Sequence, residues 1–142
     1  MEQLRFQINQ PSIPATPVQW RVRGLRGATT VSHNSAEAIT EAVNQLLDVL
    51  ETQNYLDPAE IVSATFSVTQ DLDAVFPAAV ARRRPGWEQV PLLDVLHMQV
   101  PHSLERCIRV LIHLNTLMPQ NDLRSVYLRK AVMLRPDLAF SG

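Results

Sequence analysis

Between residues 35 and 53 the apolar side chains Ile39, Val43, Leu46, Leu47 and Leu50 recur at three- and four-residue intervals, one stripe of an α-helix. Asn34-Ser35-Ala36-Glu37 in front of them offers N-cap oxygens and a capping-box glutamate, so an amphipathic helix is expected over residues 35–53. Such a stripe must be covered, and the rest of the chain supplies strands to cover it. Val62, Ala64, Phe66 and Val68 alternate with Ser63, Thr65, Ser67 and Thr69 as a half-buried strand, entered from a short helical start at Asp57-Pro58 with Glu60. Residues 20–26 alternate from Trp20 through Val22 toward a turn expected at Gly27, and Val90 to Val95 reads as a further strand. From Cys107 to Asn115, Ile108, Val110, Ile112 and Leu114 take one face while Cys107, Arg109, Leu111 and His113 take the other. Periodicity alone leaves a helix open there; the β-branched content favours a strand. Pro77 opens a short helix that Pro85-Gly86 ends. One long helix among strands in mixed order predicts an α+β fold, a mixed sheet with helical cover on one face.

At 142 residues the chain reads as a single domain over residues 20–142, preceded by an extension. Pro11, Pro14 and Pro17 each remove a backbone donor, so residues 1 to about 19 are expected to be poorly ordered. Cys107 is the only cysteine, which excludes an internal disulfide and a thiolate metal cluster. His33, His97, His102 and His113 lack paired metal-ligand spacing, and neither a Walker loop nor a Rossmann glycine pattern occurs, so no metal and no cofactor are expected. No apolar run is long enough to cross a bilayer, and the start lacks the apolar core of a secretory signal; a cytoplasmic location is the expectation.

A formal net charge of -1 argues against a general nucleic-acid surface, so any anion site has to be local. Twelve of the thirteen basic residues are arginine, whose planar fork grips a carboxylate with two parallel hydrogen bonds. Arg21, Arg23 and Arg26 crowd into "RVRGLRGATT". Arg82, Arg83 and Arg84 fall near a helix C-terminus, where cations suit the dipole, and Arg83 and Arg84 are read as solvated helix-end charge. Arg109 stands alone in an apolar segment, an expensive placement unless an anion or a carboxylate meets it. It is the strongest candidate that the residues themselves provide.

The segments "RGLRGATTV", "DLDAVFPAAVARRRPGW", "VPLLDV", "CIRVLIH" and "VYLRKAVMLRPDL", in this order, resemble the small trimeric chorismate mutases of the AroH class from about Val22 to Leu138. The resemblance implies a homotrimeric pseudo-α/β-barrel with active sites in clefts between neighbouring subunits. It also implies the Claisen rearrangement of chorismate to prephenate, on the route to phenylalanine and tyrosine. That reaction asks for no nucleophile, acid, base or metal. It asks for a restrained reactive conformer and for a fixed cation at the ether oxygen where charge develops. By the same resemblance, Arg26 binds a substrate carboxylate and Arg109 contacts both a carboxylate and the ether oxygen. Tyr127 reaches a carboxylate through its hydroxyl. Phe76 and Arg82 wall the cleft, and Arg135 stands near the entrance with Leu134 as apolar lining. Arg21 and Arg23 match no such role and are read as surface charges.

In "VPLLDVLHMQV" the chain departs from the family, which places a cysteine where Asp94 stands and a catalytic glutamate where His97 stands. That glutamate accepts a hydrogen bond from the substrate's ring hydroxyl and faces the electron-poor ring. The expectation drawn from the departure is that Asp94 supplies the displaced carboxylate among the arginines, with His97 contributing a neutral hydrogen bond. Two other readings keep part of the pattern. A silent relative would bind chorismate-like dicarboxylates through Arg26, Arg109 and Tyr127 without turning them over, and a structural trimeric module would bind neither.

Overall fold

In the computed structural model, which describes residues 18–138, five strands form one sheet. The strands are β1 (Arg21–Thr30), β2 (Ile61–Val68), β3 (Leu92–Leu96), β4 (Cys107–Thr116) and β5 (Val126–Tyr127), in the order β3-β2-β4-β1-β5. The central strand β4 runs antiparallel to β1 and β2, whereas the outer pairs β2 with β3 and β1 with β5 are parallel. Two helices, α1 (Ala36–Asn54) and α2 (Pro77–Arg82), share one core with the sheet residues Leu25, Phe66, Val110 and Ile112. This is the expected mixed sheet with helical cover on one face. The extension expected over residues 1–19 lies outside the described residues except for its last two.

The stripe of α1 is buried as its spacing requires, with Ile39, Val43, Leu46, Leu47 and Leu50 all shielded from water. Its cap is Ser35, whose Oγ accepts from the Ala38 N–H at 3.1 Å. The capping box is not formed, because with Ser35 as the cap the third helical position falls on Ala38 rather than on Glu37. Asn34 instead ties the helix start to a neighbouring loop, accepting from the N–H groups of Asp73 and Ala74 and donating to the Asp73 carboxylate. Asp57 caps the single turn Pro58–Glu60, its carboxylate accepting from the Ala59 N–H.

The turn expected at Gly27 does not occur; β1 runs through it to Thr30. A Cβ on Gly27 would lie 2.8 Å from Leu50 Cδ1 and 3.2 Å from both Leu46 Cδ1 and Val110 Cγ1. The glycine is there because α1 presses on the sheet at that point, not because the chain reverses. Val62 also departs from its expected place, being 42% exposed while Ile61 is buried. A bulge between Ile61 and Ser63 shifts the parity of β2 at its start, so that Ala64 and Phe66 face the core but Val62 does not.

Arg84 is not solvated helix-end charge. Its side chain is 10% exposed and donates to the carboxylates of Asp48 and Glu51 and to the side-chain and backbone oxygens of Asn44, all on α1. The buried indole of Trp87 donates to the same Glu51 carboxylate at 2.8 Å. The Pro85-Gly86 turn, with Gly86 at φ +85°, folds both side chains back onto the helix, where the guanidinium meets carboxylates that offset its desolvation. Arg83 is exposed, as expected. Arg21 is exposed too, whereas Arg23 lies half-buried in the row of Leu25, its Nε enclosed without a partner among the described residues.

Strand β4 keeps the predicted division: Ile108, Val110, Ile112 and Leu114 are buried against the helices, and Arg109, Leu111 and His113 are exposed on the other face. Arg109 is therefore not a charge sealed into the core. It stands on the sheet face opposite α1 and α2, where among the described residues only the short 3-10 helix Arg129–Leu134 packs, over Ala28 and Tyr127.

Candidate active site

Register places the side chains that matter. Across the open face Ser67 of β2 pairs with Arg109 of β4, Arg109 with Ala28 of β1, and Ala28 with Tyr127 of β5. One row thus crosses four strands, with the small, buried Ala28 between Arg109 and Tyr127. In the adjacent row Thr65 pairs with Leu111 and Leu111 with Arg26. Side chains two residues apart on a strand share a face, so Arg26 and Arg109 project to the same side from neighbouring strands.

A cavity of about 640 Å³ lies over these rows, lined by Arg26, Arg109, Tyr127, Leu134 and Arg135, with Val95 and Leu111 as apolar floor. Five of the residues singled out in the sequence are thus brought together by the fold. Neither Arg26 nor Arg109 forms an ion pair with a carboxylate among the described residues. Arg135 does, donating from Nε and Nη2 to Asp137 at 3.1 and 3.0 Å, so an incoming anion would meet a charge already shared. The tyrosine is buried against Ala28 and Ala131, which fixes the ring at the wall of the cavity it lines.

His97 belongs to the same face. Its backbone N–H donates to Val68 O at 2.8 Å, continuing the pairing of β3 with β2 for one residue beyond the strand. The imidazole lines a second cavity of about 440 Å³, beside Ser67 and Cys107, and Arg109 lines both cavities. Burial lowers the His97 pKa below the usual 6.5, and the nearby Arg109 charge lowers it further, so the ring is neutral at pH 7. Its Nε2 is enclosed and without a partner among the described residues. Burial raises the Cys107 thiol, which leaves that side chain a small apolar wall rather than a nucleophile.

Asp94 does not line the cavity with Arg26, Arg109 and Arg135 of its own chain. It stands three residues before His97, and an odd separation on a strand reverses the face. Asp94 pairs with Phe66, whose ring is in the core, and its Oδ1 accepts from the Ala78 N–H in the first turn of α2 at 3.0 Å. Burial raises its pKa above the usual 3.8, partly opposed by that hydrogen bond and by the field of Arg82. Phe76, 69% exposed, and Arg82, also exposed, bracket α2 beside it. The sequence candidates therefore divide into two groups. Arg26, Arg109, Tyr127, Leu134, Arg135 and His97 lie on the open face, whereas Phe76, Arg82 and Asp94 lie on the helical side. Thr65, Ser67 and Ala28, which line the same cavity, were not singled out as site residues from sequence, although the alternation of hydroxyl residues in β2 marks a polar strand face.

The whole arrangement has counterparts. Residues 22–138 match the family model described as chorismate mutase type I. The chain is 42% identical over 120 residues to chorismate mutase AroH of Bacillus subtilis (strain 168), covering 84% of this chain and 94% of that protein. Against chorismate mutase AroH of Thermus thermophilus the identity is 48% over 118 residues, covering 82% and 96%. Among solved structures, a chorismate mutase from Clostridium thermocellum superposes with a TM-score of 0.75 at 44% identity, covering 78% of this chain and 97% of that one. Likeness that spans nearly the full length of these proteins, in sequence and in fold together, makes this chain a member of the type I chorismate mutase family.

Proposed function

We infer that the chain converts chorismate to prephenate by an intramolecular rearrangement, an isomerase step of aromatic amino-acid biosynthesis, with Arg109 as the central catalytic group. One observation carries this reading. A guanidinium with no carboxylate partner among the described residues stands in the middle of an apolar strand and lines a cavity with Arg26 and Tyr127. A dianionic substrate fits a wall of that kind. Arg26 takes one carboxylate, and Tyr127 donates its hydroxyl to a carboxylate as well. Arg109 spans a carboxylate and the ether oxygen, whose negative charge grows as the carbon–oxygen bond breaks. A cation held in place by the sheet needs no reorganisation when that charge appears, which is where fixed groups gain their advantage over water. The apolar floor of Val95 and Leu111, with Leu134, supports the ring and keeps the enolpyruvyl arm in a reactive conformer. Neutral His97 offers an acceptor or donor at the margin.

The assembly we propose is a homotrimer with sites between neighbouring chains. Supporting it, Leu93, Leu96, Phe76 and Met98, on or beside the edge strand and α2, are exposed apolar side chains that a neighbouring chain would cover. The reading also takes the protein to work in the cytoplasm without a cofactor.

Chorismate consumption followed with purified protein tests the function. Prephenate should form in the wild type, and Arg109→Ala should lower turnover by on the order of 10²-fold or more, about 3 kcal/mol, as when a preorganised oxyanion donor is lost. Binding without turnover in the wild type would identify a silent binder instead.

A further inference from the structure

We propose that the negative charge facing the substrate in each site comes from Asp94 of a neighbouring copy of this chain, so that every site is built from two opposite sheet faces. The inference rests on the activity proposed above and adds the source of its carboxylate.

The cavity over Arg26 and Arg109 and the one Arg109 shares with His97 are lined by three arginines and, among the described residues, by no aspartate or glutamate; Asp71 and Glu105 line a further cavity at His97 and are engaged there, Asp71 with Thr69 and the Arg106 N–H and Glu105 with the Arg106 guanidinium. Such a site holds a dianion well, but nothing in it balances the positive charge that builds on the substrate's ring as the bond breaks. His97, neutral and beside Arg109, cannot supply an anion. On the opposite face, Asp94 is half-buried and gripped at one oxygen by the Ala78 N–H, which leaves the second oxygen available. It lies at the sheet's edge strand, next to the outward Phe76 ring and to Leu96, which is 66% exposed. An exposed aromatic wall and a positioned carboxylate are parts the open cavity lacks, and Arg82 stands beside them. They belong to the same chain but face away from its own cavity. Only a second copy, docked with its helical side over the first chain's open face, brings the two groups together. In a closed ring each chain then gives one face to each neighbour.

Hybrid assemblies test this directly. Arg109→Ala chains lack the cation but keep Asp94. Asp94→Asn chains keep the cation and, through the retained oxygen acceptor, the hydrogen bond from Ala78. Each variant alone should assemble with the mass and far-ultraviolet spectrum of the wild type and turn chorismate over on the order of 10²-fold more slowly. Co-expressed with different tags and purified over both, every mixed trimer contains one junction of intact Arg109 against intact Asp94, so about one site in three should recover. No recovery in the hybrids would mean that Asp94 serves its own chain and would overturn the proposal. So would Asp94→Asn with full turnover, or a wild type that is active as a monomer. An inactive wild type would instead sink the proposed function, a distinct result. As an independent check, adding His97→Glu to Asp94→Asn places a carboxylate on the cavity side of the same chain and should restore turnover at least tenfold. A double variant as slow as Asp94→Asn would remove the charge argument.

Discussion

Gly27→Ala adds a single methyl where α1 meets the sheet. The new Cβ would sit 2.8 Å from Leu50 Cδ1, with Leu46 Cδ1 and Val110 Cγ1 at 3.2 Å. Leu46 and Leu50 are fully buried and Val110 nearly so. Leu50 cannot swing into open space, and overpacking of this kind costs about 1–3 kcal/mol. Alanine also restricts the unfolded chain more than glycine does, which returns about 0.4–1 kcal/mol. The net expectation is a loss of about 1–2 kcal/mol. For a chain of this size that corresponds to a drop in Tm of roughly 3–8 °C. Thermal unfolding by circular dichroism, at matched protein concentration because assembly shifts Tm, measures it. The same substitution should reach the site, since Gly27 lies between Arg26 and Ala28 and any lift of α1 displaces the strand that carries both. A modest rise in KM for chorismate is expected with the Tm change. An unchanged or higher Tm would refute the claim that close approach of the helix, rather than a need for backbone freedom, selects glycine here.

Arg84→Met removes the cation that Asp48 and Glu51 share and leaves Glu51 with the Trp87 indole alone; about 1–3 kcal/mol should be lost in urea unfolding, at the low side of buried pairs because Asp48 is largely exposed. Turnover per folded site should not change, as none of these side chains lines the cavities at Arg109. The pH profile of kcat/KM should fall toward acid in a window below 6.5 and above 3.8, because protonating His97, whose pKa is lowered, adds a second cation beside Arg109, and protonating Asp94, whose pKa is raised, removes the proposed anion. His97→Asn should move or narrow that limb, and a limb identical to the wild type would assign it to another group. Tyr127→Phe should raise KM by roughly 10- to 100-fold with little change in the far-ultraviolet spectrum, the scale of one hydrogen bond to a charged group.

Elements that depend on local pattern were legible from the sequence. The stripe of α1 and the division of β4 into a buried and an exposed face each follow from a period that neighbouring residues set for themselves. Features that depend on another part of the chain were not. Gly27 reads as a turn residue until α1 is laid across it. Val62 reads as core until the bulge shifts its parity. Arg84 reads as solvated until the Pro85-Gly86 turn returns it to α1. For the site, Arg109 could be singled out by chemistry alone, since a charge in an apolar strand demands a reason. Its association with Arg26 and Tyr127 came from resemblance and needed the register of three strands to become geometry.

Asp94 shows why proximity along a sequence misleads on a strand. Moving a carboxylate by three positions looks like a small displacement, and on a helix it would stay on nearly the same side. On β3 it crosses the sheet, leaving the company of Arg109 for that of Ala78 and Arg82. Within a single chain this would separate the anion from the cations it is meant to balance. In the proposed assembly the separation would have a use, because a carboxylate on the helical side would approach a neighbour's substrate without collapsing onto Arg26 and Arg109 of its own chain. An internal pair between Asp94 and Arg109 would neutralise the cation before substrate arrived. The sheet would thus keep the two charges apart until the chains meet in the proposed assembly, and an Arg109 without a carboxylate partner among the described residues is the condition for binding a dianion tightly.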